Sequence, residues 1–149
     1  MCYKKEDDKN LNVENEKKQN GAKKRLLIVD DDVDITLSFS LALEDSGLFV
    51  VDTYNDPLVA LSNYRPNSYD LLLLDIKMPK MNGFELYDQI KRIDNKVKVC
   101  FISAYDVDYN ALREQFPTLE IDCLILENIM RKPIEVNELI ERIELELLT

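Results

Sequence analysis

DLLLLDIKMPKMNGFEL, residues 70–86, carries a strand, a turn and the start of a helix in one unbroken stretch. Four leucines set between Asp70 and Asp75, with no polar alternation, read as a short strand (70–75). MPKMNG (78–83) follows, with Pro79, Asn82 and Gly83 supplying turn chemistry, and FELYDQIKRI (84–93) then takes up helical spacing. Upstream, RLLIVD (25–30) has the same form, as expected for a central parallel strand covered on both faces.

The alternation extends in both directions. After RLLIVD, Asp34 can cap a helix in which Ile35, Leu37, Phe39, Leu41, Ala42 and Leu43 form a broad buried face, stopped at Gly47. LFVVDTY (48–54) is a second strand. Asp56-Pro57 opens a helix that runs to about Tyr64, before Pro66. VKVCFIS (97–103) is the fourth strand, and YNALREQF a helix ended by Pro117. EIDCLILENIMRKP offers two places for a fifth strand, 121–126 or 128–131. Pro133 leads into a final helix with Val136, Leu139, Ile140, Ile143 and Leu147 on one face. Repeated strand–helix alternation implies an α/β fold, a parallel sheet with helices on both sides. One domain is expected over 25–149, and the Lys/Glu/Asn-rich segment 1–24, without a periodic apolar face, reads as a disordered charged tail.

Charge and composition narrow the function. The chain carries a formal net charge of −10; residues 1–24 hold seven Lys and five Asp/Glu, a net of +2, so residues 25–149 carry −12. So acidic a body argues against direct nucleic-acid binding, which needs a basic face. No apolar run is long enough to span a bilayer, and the first residues lack the apolar core of a secretory signal. No membrane insertion and a cytoplasmic location are expected. Cys2, Cys100 and Cys123 form no CxxC pair. With no histidine in the chain, its own chemistry rests on carboxylates, lysines, hydroxyls or thiols.

In open parallel sheets, ligands sit beyond the carboxyl ends of the strands. Asp30-Asp31 end the first strand, Asp75 the third and Ser103 the fourth, and Lys132 follows the last. Three carboxylates crowded at one edge repel one another unless a cation joins them, and hard oxygen ligands suit Mg²⁺. A carboxylate such as Asp75 can act as a nucleophile towards phosphorus, with the metal and Lys132 neutralising the incoming charge.

These motifs resemble the response-regulator receiver domains of two-component signalling, CheY-like in type. The resemblance rests on LLIVDDDVDI, DLLLLDIKMPKMNGFEL, VCFISAY and MRKP, in that order, with 45 residues from Asp30 to Asp75 and 28 from Asp75 to Ser103. It implies a doubly wound, flavodoxin-like sheet of five parallel strands in the order 2-1-3-4-5. It further implies that Asp75 is the phospho-acceptor, becoming a 4-aspartylphosphate, and that Asp30, Asp31, Asp75 and the backbone carbonyl of Lys77 bind Mg²⁺. Ser103 would follow the phosphoryl group and Lys132 would pair with it. Pro79 and Gly83 match the family's loop, Gly83 as a backbone turn costly to other residues, and Ala104 matches its small residue. A sensor histidine kinase is the implied donor and a protein effector the implied target, with no turnover enzyme activity.

The chain also departs from the family. Ser103 to Lys132 spans 29 residues, more than is usual, and Ile129 stands where relatives often carry a Tyr or Phe. Nothing follows the last helix, so a stand-alone switch working through protein contacts is expected, with 104–132 and the final helix as its signalling surface. Tyr105 and Lys77 flank the phosphoryl site, where such positions tune hydrolysis. Two rival readings exist. Asp32-Val-Asp34-Ile-Thr36 matches the DxDxT of haloacid-dehalogenase-like phosphatases, and a receiver-like module could bind partners without phosphorylation.

Overall fold

The computed structural model describes residues 22–104, 108–115, 117 and 129–149. The elements run β1 Lys24–Val29, α1 Val33–Asp45, β2 Phe49–Tyr54, α2 Pro57–Asn63, β3 Leu71–Asp75, α3 Gly83–Ile93, β4 Lys98–Ser103, α4 Tyr109–Gln115, β5 Ile129–Arg131 and α5 Val136–Leu148. All strand pairs are parallel, and the sheet order is β2-β1-β3-β4-β5. This is the doubly wound order that the family resemblance implied.

The leucine run of β3 explains why a parallel strand abandons polar alternation. Side chains alternate across a strand, so Leu72 and Leu74 enter one core with Ala60 of α2 and Phe84, Leu86 and Ile90 of α3. Leu71 and Leu73 enter the other, with Phe39 and Leu43 of α1 and Leu139 and Ile143 of α5. Helices therefore cover both faces, and every leucine of the run is fully buried. Each such side chain contributes roughly 1.5–3 kcal/mol relative to exposure.

Two details of α1 differ from the sequence reading. Its N-cap is Asp32, not Asp34: the Asp32 carboxylate accepts from the backbone N–H groups of Asp34 and Ile35, and Asp34 lies in the first turn. The buried stripe is also narrower, because Thr36, Phe39 and Leu43 face the sheet while Leu37 and Leu41 are 55% and 61% exposed. Helical spacing of i, i+3 and i+7 places those three on one side and turns positions 37 and 41 outward. Gly47 ends the helix as expected, in the left-handed region at φ +80°.

The fifth strand is the later of the two candidates. Ile129, Met130 and Arg131 pair with Phe101, Ile102 and Ser103 of β4. The earlier candidate, 121–126, lies outside the described residues, as do residues 1–21 of the expected tail, Cys2, Cys123 and Tyr105. Cys100 is buried, and burial pushes its thiol up to about 12, as befits a small hydrophobe of the core. Among the described residues no helix is long and apolar enough to cross a membrane.

Candidate functional site

The sheet delivers its acids to one edge because parallel strands all end on the same side. β1 stops at Val29, so Asp30 and Asp31 begin the loop to α1, and β3 ends on Asp75 itself. Asp30 and Asp75 are buried, Asp31 is exposed, and carboxylate oxygens of the three lie within 4.8 Å of one another. Lys132, just beyond β5, reaches in from the far side of the sheet: its Nζ donates to Asp30 Oδ2 at 2.9 Å and lies 3.3 Å from Asp75 Oδ1. Ser103 is buried at the end of β4, and its carbonyl accepts the backbone N–H of Lys132 at 2.8 Å. That bond ties the exit of β5 to the exit of β4 and so carries the lysine to the acids. Lys77 is exposed, two residues beyond Asp75 in the β3–α3 loop.

The loop after Asp75 is set by two residues with distinct duties. Lys80, not Gly83, takes the left-handed backbone, at φ +74°. Gly83 opens α3, where a Cβ would overlap the carbonyl oxygen of Asp75 and lie 3.1 Å from its carbonyl carbon. The glycine thus matters for close approach rather than for a turn: it lets α3 press on the backbone of the acceptor strand, with Gly83 N–H donating to Ile76 O at 2.9 Å. Asn82 caps this helix in a capping box with Glu85, which holds the junction in place. Lys80 also bridges to Asp56, the N-cap of α2, at 2.7 Å.

Electrostatics at the edge are those of crowded like charges. Burial, then the neighbouring charge of Asp30, pushes the Asp75 carboxyl up to about 6, with Lys132 pulling the other way. Burial likewise raises Asp30, partly offset by the Asp32 N–H and Lys132. Burial alone would lower Lys132, but its hydrogen bond to Asp30 and the charges of Asp30 and Asp75 hold it above the ordinary lysine range. Lys132 pairs with Asp30 and Asp75, and Asp31 adds a third carboxylate, so among the described residues negative charge is left over at the cluster. Anionic oxygens from one loop and one strand end, with Asp31 open to solvent, fit a small hard divalent cation that completes its shell with water or a phosphate oxygen.

The alternative DxDxT residues do not join this cluster. Asp32 spends its carboxylate capping α1, Asp34 is exposed, and the Thr36 hydroxyl donates to Val33 O at 3.1 Å. Sequence reading missed one residue at this edge. Asn55, directly after β2, donates from Nδ2 to the carbonyl of Asp30 at 2.8 Å and to Thr36 Oγ1 at 3.0 Å. Its place beyond the end of a strand was the available signal, but a lone amide after a strand reads as an ordinary turn residue.

A parallel 2-1-3-4-5 sheet with an acid trio, a hydroxyl and a lysine at its carboxyl edge defines a receiver. The chain belongs to the response regulator receiver domain family, whose model matches residues 26–144. It is 38% identical over 120 residues to the transcriptional regulatory protein CpxR homolog of Haemophilus influenzae, covering 80% of this chain and 48% of that protein. It is 32% identical over 128 residues to the chemotaxis protein CheY of Treponema pallidum, covering 85% of this chain and 84% of that one. The chain thus spans about half the length of the first relative and most of the second. Among solved structures, the non-phosphorylated HemR receiver domain from Leptospira biflexa matches with a TM-score of 0.69 and 27% identity, over 85% of this chain and 96% of that one. Receiver domains are signalling domains of two-component systems, generally not enzymes; they interact with sensor histidine kinases and bind Mg²⁺ at an acidic pocket.

Proposed function

We propose that this chain is a stand-alone cytoplasmic response regulator, a receiver over residues 25–149, that accepts a phosphoryl group on Asp75. The observation that carries the reading is the meeting of Asp30, Asp31 and Asp75 with Lys132 at the carboxyl edge of the sheet. The donor is a phosphohistidine of a sensor histidine kinase. A carboxylate oxygen of Asp75 attacks phosphorus, the new O–P bond forms as the N–P bond breaks, and the electron pair returns to the imidazole of the donor. With a carboxyl at about 6, Asp75 is mostly ionised at neutral pH even before a cation arrives. Asp30, Asp31, Asp75 and the Lys77 carbonyl would hold Mg²⁺, which supplies charge neutralisation at the phosphoryl oxygens. Lys132 pairs with the transferred group and Ser103 donates to it from the end of β4.

Output in this reading is a change in the protein surface offered to an effector, through an equilibrium that the phosphoryl group biases. Similarity over most of the length of a chemotaxis CheY supports a switch that works through protein contacts. Ile129, which stands where relatives often carry an aromatic, pairs with Phe101 of β4 and packs partly buried against the core that holds Phe101 and Tyr87.

Incubation with Mg²⁺ and a small acyl-phosphate donor tests the reading. One acid-stable, base-labile adduct is expected, absent without Mg²⁺ and absent in Asp75→Asn. An adduct that survives in Asp75→Asn, or none in the parent, would overturn it.

A further inference from the structure

Of the three carboxylates, Asp31 has the least support among the described residues. Asp30 is gripped on several sides: its N–H donates to Tyr54 O at 3.2 Å, its Oδ1 accepts from Asp32 N–H at 2.9 Å, and its Oδ2 accepts from Lys132. Asp75 sits inside a paired strand and faces the same lysine. Asp31 is exposed, and among the described residues no side chain holds its carboxylate. Among the described residues, its placement therefore rests on its backbone.

That backbone is held at both of its peptide groups: the Asp32 N–H donates to Asp30 Oδ1, and the Asp30 carbonyl accepts from a side chain. The carbonyl of Asp30 and the N–H of Asp31 belong to one peptide group, which is planar and stiff. Asn55 Nδ2 donates to this carbonyl at 2.8 Å. The second hydrogen of the same amide goes to Thr36 Oγ1 at 3.0 Å, and Thr36 is itself buried against the sheet and bonded to Val33 O. One side chain from the β2–α2 connection thus joins the exit of β1 to the first turns of α1. Fixing the carbonyl fixes the peptide plane, and the plane fixes where the Cα of Asp31 stands.

We propose that Asn55 is a positioning residue for cation binding: by holding the Asp30–Asp31 peptide it places the exposed Asp31 at the site. The proposal rests on the reading of the acidic trio as the Mg²⁺ site. Partners that orient ligands in this indirect way typically change metal affinity by one to two orders of magnitude when removed.

The test is Mn²⁺ binding to the full chain, followed by electron paramagnetic resonance, beside metal-free urea unfolding. Asn55→Ala, and Asn55→Leu in case the smaller residue perturbs folding, should each weaken Mn²⁺ binding about tenfold. Thr36→Val leaves the bond to the Asp30 carbonyl in place and should shift binding by less than about threefold, whatever it does to the urea midpoint. In an Asp31→Asn background, Asn55→Ala should have little further effect, because the ligand it serves is already gone. Unchanged binding in both Asn55 variants, an equal loss in Thr36→Val, or an undiminished effect of Asn55→Ala in the Asp31→Asn background would each overturn the proposal. If the parent binds no Mn²⁺, or if Asp31→Asn and Asp75→Asn bind it as the parent does, the metal-site reading itself falls and takes the proposal with it.

Discussion

Asp75 and Asp94 are both buried carboxylates, one at each end of the sheet, and their surroundings push them in opposite directions. Asp94 caps the end of α3 at the edge where strands begin. It accepts from the Tyr64 hydroxyl at 2.7 Å, from Asn67 N–H at 3.1 Å and from Lys96 N–H at 3.4 Å. Burial alone would raise it, yet these donors hold its carboxyl below the ordinary range. Asp75, where strands end, meets two acids and a shared lysine, and its carboxyl is pushed up to about 6. A buried carboxylate surrounded by donors is a structural tie, whereas one surrounded by other carboxylates is destabilising until something cationic arrives. Burial is common to both, so the partners decide which of the two is poised for chemistry.

The comparison can be broken by removing each acid in turn. Asp94→Ala carries the largest expected effect, a loss of about 2–4 kcal/mol in urea unfolding at pH 7, since it strands a buried Tyr64 hydroxyl and the Asn67 N–H. A carboxyl held low in the fold contributes stability that is present above its unfolded value and lost as pH falls through the folded one. The gap between parent and variant should therefore narrow below about pH 4. A gap that stays constant to pH 3 would mean that Asp94 is not the charged tie described.

Asp75→Asn should do the reverse. Because the Asp75 carboxyl is raised, its ionisation opposes folding. That opposition is absent below about pH 4, grows as pH rises through about 6, and is complete at neutral pH. In metal-free buffer at pH 7.5 the variant should be more stable than the parent by about 1–2 kcal/mol, discounted for the partial solvent access of the site. The gain should vanish near pH 4 and shrink when Mg²⁺ is added to the parent. A variant less stable than the parent at neutral pH would sink the contrast between the two edges.

Tyr64→Phe sharpens the comparison with the smallest change. It removes one donor from Asp94 and keeps the ring, so a loss of about 1 kcal/mol is expected at pH 7. Carbon-detected NMR titration should show the Asp94 carboxyl moving upward towards the ordinary value, while Asp75 stays where it was. Movement of both would indicate a coupling across the sheet that no contact between them supplies.

How far the sequence could be read follows from the range of the forces involved. The leucines of β3 declare a strand buried on both faces because side-chain alternation is a property of neighbouring residues, and the acid at each strand end places itself once the strands are parallel. The trio Asp30, Asp31 and Asp75 was therefore legible, as was the position of Lys132 after the last strand. Errors arose where a local signal had two uses. Asp32 and Asp34 are both good caps, and only the start of α1 against the sheet selects Asp32. Gly83 looks like a turn glycine, yet its missing Cβ makes room for the Asp75 carbonyl, and Lys80 takes the left-handed turn. Leu37 and Leu41 are apolar enough for a core, but α1 turns Thr36, Phe39 and Leu43 to the sheet and leaves these two leucines in solvent.

The sequence by itself determined the class of fold, the order of the elements and the edge at which the acids gather, because these follow from hydrophobic period and chain direction. Tertiary structure decided the chemical character of each acid. Asp94 meets Tyr64 from 30 residues away, and Lys132 meets Asp30 across 102. The charge state of a carboxylate depends on which distant groups fold against it and how much water they displace, and no local pattern along the chain records that.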